Sequence, residues 1–168
     1  MSYPEFPDYP APVYLGKPGL VNGTFRAAGH EPELTYPNGG TVHYLATGES
    51  TDGRFGLYRW EMSAAQSGPG PHFHRSISEA FYVLSGTIRL FDGANWLDGK
   101  PGDFLYVPDG GIHAFRNESG EPASMLIHFS PGAPREDYFE TLARVAEGMT
   151  LSDEEKTAFY LRHDTFWT

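Results

Sequence analysis

The stretch HFHRSISEAFYVLSG, residues 72–86, limits what this chain can fold into more than any other. Successive side chains of an extended strand point to opposite faces, so His72 and His74 share one face and Phe73 takes the other. Glu79 opens the apolar run that follows, with only Arg75–Ser78 between. A tight return over those residues brings its carboxylate to the imidazole face. Such a set is a metal geometry; taken alone, it reads equally as the wet or hydrogen-bonded side of a strand. His113, which follows the glycine-rich turn PDGG, can add a third imidazole from a separate strand. Three neutral nitrogens and one carboxylate suit a divalent first-row metal and leave open positions if it is six-coordinate.

The rest of the chain sets these residues on strands. From about residue 40 to 130, short apolar runs (HYLAT, RFGLYRWEM, EAFYVLSG, TIRLF, DFLYVP, IHAFRN, SMLIHFS) alternate with turn signals (SGPGP, FDGANW, KPGD, PDGG). That spacing predicts an all-β sandwich or barrel built from hairpins. With 168 residues, 39% apolar and 15% aromatic, and with 20 Gly and 14 Pro, the chain has the size of one domain and many turns. Beyond the barrel, Tyr138, Leu142 and Val145 at i, i+4 and i+7 predict an amphipathic helix over 135–147, ended by Gly148. Ser152 and Glu155 form a capping box, and Asp153 and Glu154 suit a positive helix start, so a second helix is expected over 153–162. In residues 1–19, Pro4, Pro7, Pro10, Pro12 and Pro18 stand among Tyr3, Phe6, Tyr9 and Tyr14. This favours an extended arm that packs on the body or reaches a partner subunit.

Composition removes several function classes. A formal charge of −10 disfavours nucleic acid and anionic membrane surfaces, which need a basic face. The absence of cysteine excludes disulfides, zinc–thiolate sites, iron–sulfur clusters and thiol nucleophiles. The start MSYPEFPDYPAPVY lacks a basic region and an apolar core, and no run reaches the roughly 18 apolar residues of a membrane span. The expectation is a cytoplasmic protein with no membrane partner.

Together, 72–86 and GDFLYVPDGGIHAFRN, starting at Gly102, resemble the paired signatures of the cupin superfamily. His72, His74, Glu79 and Gly86 match the first; Gly102, Pro108, Gly110, His113 and Asn117 match every defined position of the second. Agreement at all of these leaves little room for chance. One departure stands: the first signature usually opens with a glycine where this chain has Gln66, with Gly68 and Gly70 nearby. The resemblance implies a jelly-roll β-barrel over about 40–132 of a single domain, 1–168. It also implies one divalent transition metal (Fe, Ni, Mn, Co or Cu) on His72, His74, Glu79 and His113. Asn117 reads as structural. A homodimer is expected too, since cupin barrels pair through sheet faces or exchanged N-terminal strands and the arm at 1–19 suits that.

Within the superfamily the chain resembles small cupins related to quercetin 2,3-dioxygenases, through EAFYVLSGTIRLF and the PGAPREDYFE segment before the terminal helices. This implies a metal-dependent dioxygenase that binds a deprotonated enol or phenol, with Glu79 as both ligand and catalytic proton acceptor. Alternation supports an aromatic, apolar cavity with few charges besides the ligands. Phe81 lies in step with Glu79, Phe115 in step with His113, and Tyr58, Trp60 and Met62 share a face. Tyr58, Trp60, Phe81 and Phe115 are therefore the expected substrate contacts, and the expected substrate is flavonol-like or otherwise enolisable. A sugar phosphate or small dicarboxylate would need inward Arg or Lys. Two alternatives carry weight: a non-oxidative cyclase or isomerase of a polyketide-like compound, with the metal as Lewis acid, and a non-catalytic small-molecule-binding cupin. His30, His43 and His163 lie outside the expected ligand set. For His128 alternation leaves two faces open, a surface or hydrogen-bonded position being favoured over one that touches a ligand residue or the substrate.

Overall fold

Each apolar run named above becomes a strand of a computed structural model that describes residues 9–168. The chain divides into two units, one ending at His30 and one spanning Glu31–Thr168. In the first, residues 9–30 carry no helix or strand, and Val13, Leu15, Leu20, Val21 and Phe25 are exposed. The part of the expected arm before residue 9 lies outside the described residues.

The second unit runs β1 (Leu34–Thr35), β2 (Thr41–Ala46), β3 (Gly56–Met62), β4 (His72–Phe73), β5 (Ser78–Ser85), β6 (Ile88–Phe91), β7 (Trp96–Gly99), β8 (Phe104–Val107), β9 (Ala114–Arg116) and β10 (Ala123–Ser130). Two helices, α1 (Glu136–Ala146) and α2 (Asp153–Arg162), and a last strand, β11 (Phe166–Trp167), follow. One sheet has the order β1-β2-β3-β10-β5-β8, a second β7-β6-β9, and β11 pairs with β4. The helices fall within a residue of the expected ranges, and the capping box forms: the Glu155 amide donates to Ser152 Oγ at 3.2 Å and the Ser152 amide to Glu155 Oε2 at 2.7 Å.

Strict alternation builds the core. Glu79, Phe81 and Val83 of β5 face inward with Met125, Ile127 and Phe129 of β10 and with Tyr58 and Met62 of β3, all buried. Each large apolar side chain so placed stabilises the fold by about 2 kcal/mol. His128 takes the opposite face of β10 and stacks on Phe55, ring centroids 5.6 Å apart, which settles the choice that alternation left open.

Two glycines stand where neighbouring backbones approach too closely for a side chain. Gly86 has φ +72°, and a Cβ there would lie 2.5 Å from the Pro122 carbonyl oxygen. Gly68, at φ +129°, lies so close to the Phe115 carbonyl that no side chain would fit, beside the paired backbones of Ser67 and Asn117. Asn117 is fully buried and donates to the Ser63 and Glu121 carbonyls, both at 2.8 Å, joining the loop after β3 to the one between β9 and β10.

Candidate metal centre

Backbone pairing places each ligand candidate. The His72 and His113 backbones bridge antiparallel, with N–H to O distances of 3.0 and 2.8 Å, so two distant imidazoles start from facing positions. The Gly110 amide donates to the His74 carbonyl at 2.6 Å, tying the PDGG turn to the HxH segment. Glu79 sits between Phe129 of β10 and Val107 of β8. Phe73 points away and stacks on Phe166 at 5.1 Å, as the alternation of HFH requires. His72, His74, Glu79 and His113 are all buried, with one ligand atom from each within 4.8 Å of the others.

Hydrogen bonds fix which atoms face the centre. Nδ1 of His72 lies 2.9 Å from the Gly70 carbonyl, Nδ1 of His113 2.9 Å from that of Gly111, and Nδ1 of His74 2.5 Å from that of Asp164. A carbonyl only accepts, so each Nδ1 carries the proton and each Nε2 of a neutral ring presents a lone pair. Oε2 of Glu79 lies 2.8 Å from His113 Nε2 and 3.1 Å from His74 Nε2. Four acceptors converging in a buried space repel one another unless a proton on an imidazole Nε2 or a metal cation joins them, and the donor set fits a divalent transition ion.

Electrostatics follows the same logic. Burial pushes the His72 imidazole down to about 4, so it is neutral near pH 7. Burial opposes ionisation of Glu79, but His113 and His74 outweigh it and hold the carboxyl well below its ordinary range. Burial likewise opposes charge on His113, and Glu79 overcomes it, raising the imidazole. Glu79 thus stays a carboxylate, as ligation requires.

A cavity of about 300 Å³ opens over His72 and Glu79. Among the aromatic residues expected to meet substrate, Trp60 and Phe115 line it. Tyr58 and Phe81 do not border it and are fully buried. Tyr58 is enclosed by Tyr44, Phe129 and Phe139 and donates to Glu136 Oε1 at 2.5 Å; Phe81 packs between His113 and Phe115. Tyr36, Tyr138, Phe139, Tyr160 and Trp167 complete the wall, four of them from the C-terminal segment.

Two features escaped the sequence reading. The wall is not free of cations, because Arg135 lines it at 4% exposure. Its signal was a basic residue at a helix N-terminus, where the helix dipole disfavours one. The other is β11: Trp167 lies opposite His72 with rings 5.2 Å apart, while the Asp164 carboxylate accepts from the Arg75 and Ser76 amides at 2.9 and 2.8 Å. His30, His43, His128 and His163 are not part of the cluster.

A cupin-domain family model matches residues 58–129, which contain all four candidate ligands. The chain is 30% identical over 109 residues to quercetin 2,3-dioxygenase of Bacillus subtilis, covering 62% of this chain and 30% of that protein. It is 32% identical over 126 residues to germin-like protein subfamily 2 member 1 of Arabidopsis thaliana, covering 71% and 52%. The chain therefore spans about a third to a half of the curated relatives it matches. Among solved structures, KdgF from Halomonas sp. superposes with a TM-score of 0.57 at 18% identity, covering 70% of this chain and 99% of that one, which supports the jelly-roll fold.

Proposed function

This chain belongs to the cupin superfamily, and from that premise we propose that it is a metal-dependent dioxygenase of an enolisable aromatic compound. The observation that carries this reading is the convergence of three Nε2 lone pairs and the Glu79 carboxylate at an aromatic-walled cavity. The 30% identity to a quercetin 2,3-dioxygenase supports the reaction class.

His72, His74, Glu79 and His113 would hold the ion, which when bound would acidify a ligated phenol or enol and relay electrons from that substrate to dioxygen. The residues of the chain do the rest. Glu79 borders the cavity, and its Oε1 takes no hydrogen bond among the described residues, which leaves an acceptor for the substrate hydroxyl proton. Its depressed affinity for protons makes that transfer effective only when the phenolate left behind is stabilised. Trp60 and Phe115, whose rings meet edge to face at 6.2 Å, give a planar substrate a wall, and Trp167 shields His72 from water.

Oxygen-electrode uptake with flavonols, catechols and enols tests the proposal. Metal-loaded protein is expected to consume about one O2 per substrate converted. Conversion of one of these compounds without oxygen would replace the dioxygenase reading by the cyclase or isomerase one, and unchanged recovery of every bound compound by the binding-protein one.

A further inference from the structure

The metal reading leaves one charged group of the cavity unused. Arg135 is 4% exposed and lines the same space as His72 and Glu79. Its Nη1 donates to the His163 carbonyl at 2.6 Å, its buried Nε has no partner, and among the described residues no carboxylate lies within ion-pair distance. The guanidinium is packed against aromatic faces, 4.2 Å from the ring centre of Tyr138 and 5.2 Å from that of Phe129. A guanidinium keeps its charge at any ordinary pH and offers five donors in a plane, shaped to grip a carboxylate by two of them. A strut between α1 and the end of α2 would need only the single bond to His163. Burial of a cation with donors unused, facing a ligand cavity, is the arrangement of an anion receptor lacking its anion.

Resting on the metal-dependent reading above, we propose that Arg135 binds a carboxylate of the substrate, so that the substrate is an aromatic acid whose phenolic or enolic oxygen meets the metal centre. Charge balance agrees: with a divalent ion bound, the ion and Arg135 together outweigh Glu79 by two charges, which a carboxylate and one deprotonated oxygen cancel. The wall matches the remainder, since Tyr36, Trp60, Phe139 and Trp167 enclose space suited to a flat ring between two polar ends.

The test measures binding, not turnover. Metal-loaded protein is titrated without oxygen, by tryptophan fluorescence, with catechol and with 2,3- and 3,4-dihydroxybenzoate. Wild type is expected to bind at least one of the acids about 30-fold more tightly than catechol, the size expected of a buried charge pair. Arg135→Met is expected to lose that preference, and Arg135→Lys to keep part of it. The wild-type comparison needs no variant to fold. Catechol bound as tightly as both acids, or a preference that persists in Arg135→Met, overturns the proposal alone. Failure of all three compounds to bind overturns both this assignment and the aromatic-substrate reading on which it rests.

Discussion

Two regions meet at the cavity, and they are held in place differently. The ligand region, from β4 through β5 to the turn into β9, is fixed by main-chain pairing: His72 bridges His113, and Glu79 lies within the six-stranded sheet. The wall region, from Arg135 to Trp167, is fixed by side chains and caps apart from the two-residue pairing of β11 with β4: Arg135 on His163, Asp164 on Arg75 and Ser76, Phe166 on Phe73. Backbone pairing tolerates few alternatives, whereas a wall of rings and one cation can be recomposed without disturbing the sheet. Under the proposed function, metal retention would belong to the first region and substrate choice to the second. They touch along β4 and the turn after it, where β11 pairs with β4, the Asp164 carboxylate accepts from the Arg75 and Ser76 amides, and the Asp164 carbonyl receives His74 Nδ1.

That division can be broken or sharpened in order of effect. His113→Ala and His72→Ala should each empty the site of metal, seen as loss of bound ion from a still folded chain; retention by both would place the ion elsewhere. Glu79→Gln keeps the shape but loses the charge, and should lower turnover by at least about 100-fold, from lost proton transfer and weaker metal binding together. Phe81→Ala should cost about 3–5 kcal/mol of stability as a core cavity, read by denaturant melts. Trp60→Ala should by contrast weaken substrate binding more than folding. Asp164→Ala acts at the contact between the regions, and should reduce metal affinity about 10-fold by releasing the carbonyl that orients His74, measured by chelator competition. Ser152→Ala removes the α2 cap and should cost about 1 kcal/mol with no change in metal content, so any loss of metal there would couple α2 to the ligands.

The same division explains how much the sequence disclosed. Ligands set by strand alternation and tight turns are local, so HFH, the gap before Glu79 and PDGGIH reveal them, as the Ser152–Glu155 box reveals α2. Positions decided by how far a helix reaches over the barrel have no such period. Tyr58 and Trp60 share a face of β3, yet only Trp60 borders the cavity, because Phe139 and Phe129 close over Tyr58. Phe81 is in step with Glu79 but is covered by His113 and Phe115. Asp164 receives His74 across 90 residues of sequence, and Arg135 borders a cavity whose His72 and Glu79 lie more than 50 residues earlier; no spacing rule connects either pair.

The exposed outer faces are a separate matter. Tyr82, Phe104 and Tyr106 lie exposed on β5 and the edge strand β8, and among the described residues no helix is long and apolar enough to cross a membrane. We propose that this face and the N-terminal arm serve self-association as a homodimer, which sedimentation of wild type against Phe104→Glu would test by a shift to monomer.

The central claim, that four buried acceptors form a metal centre, is tested most directly by elemental analysis of wild-type protein purified from cells grown with ample transition metals. The account predicts close to one divalent first-row ion per folded chain. A fully folded chain that carries none, and takes up none when the ions are supplied, would contradict it.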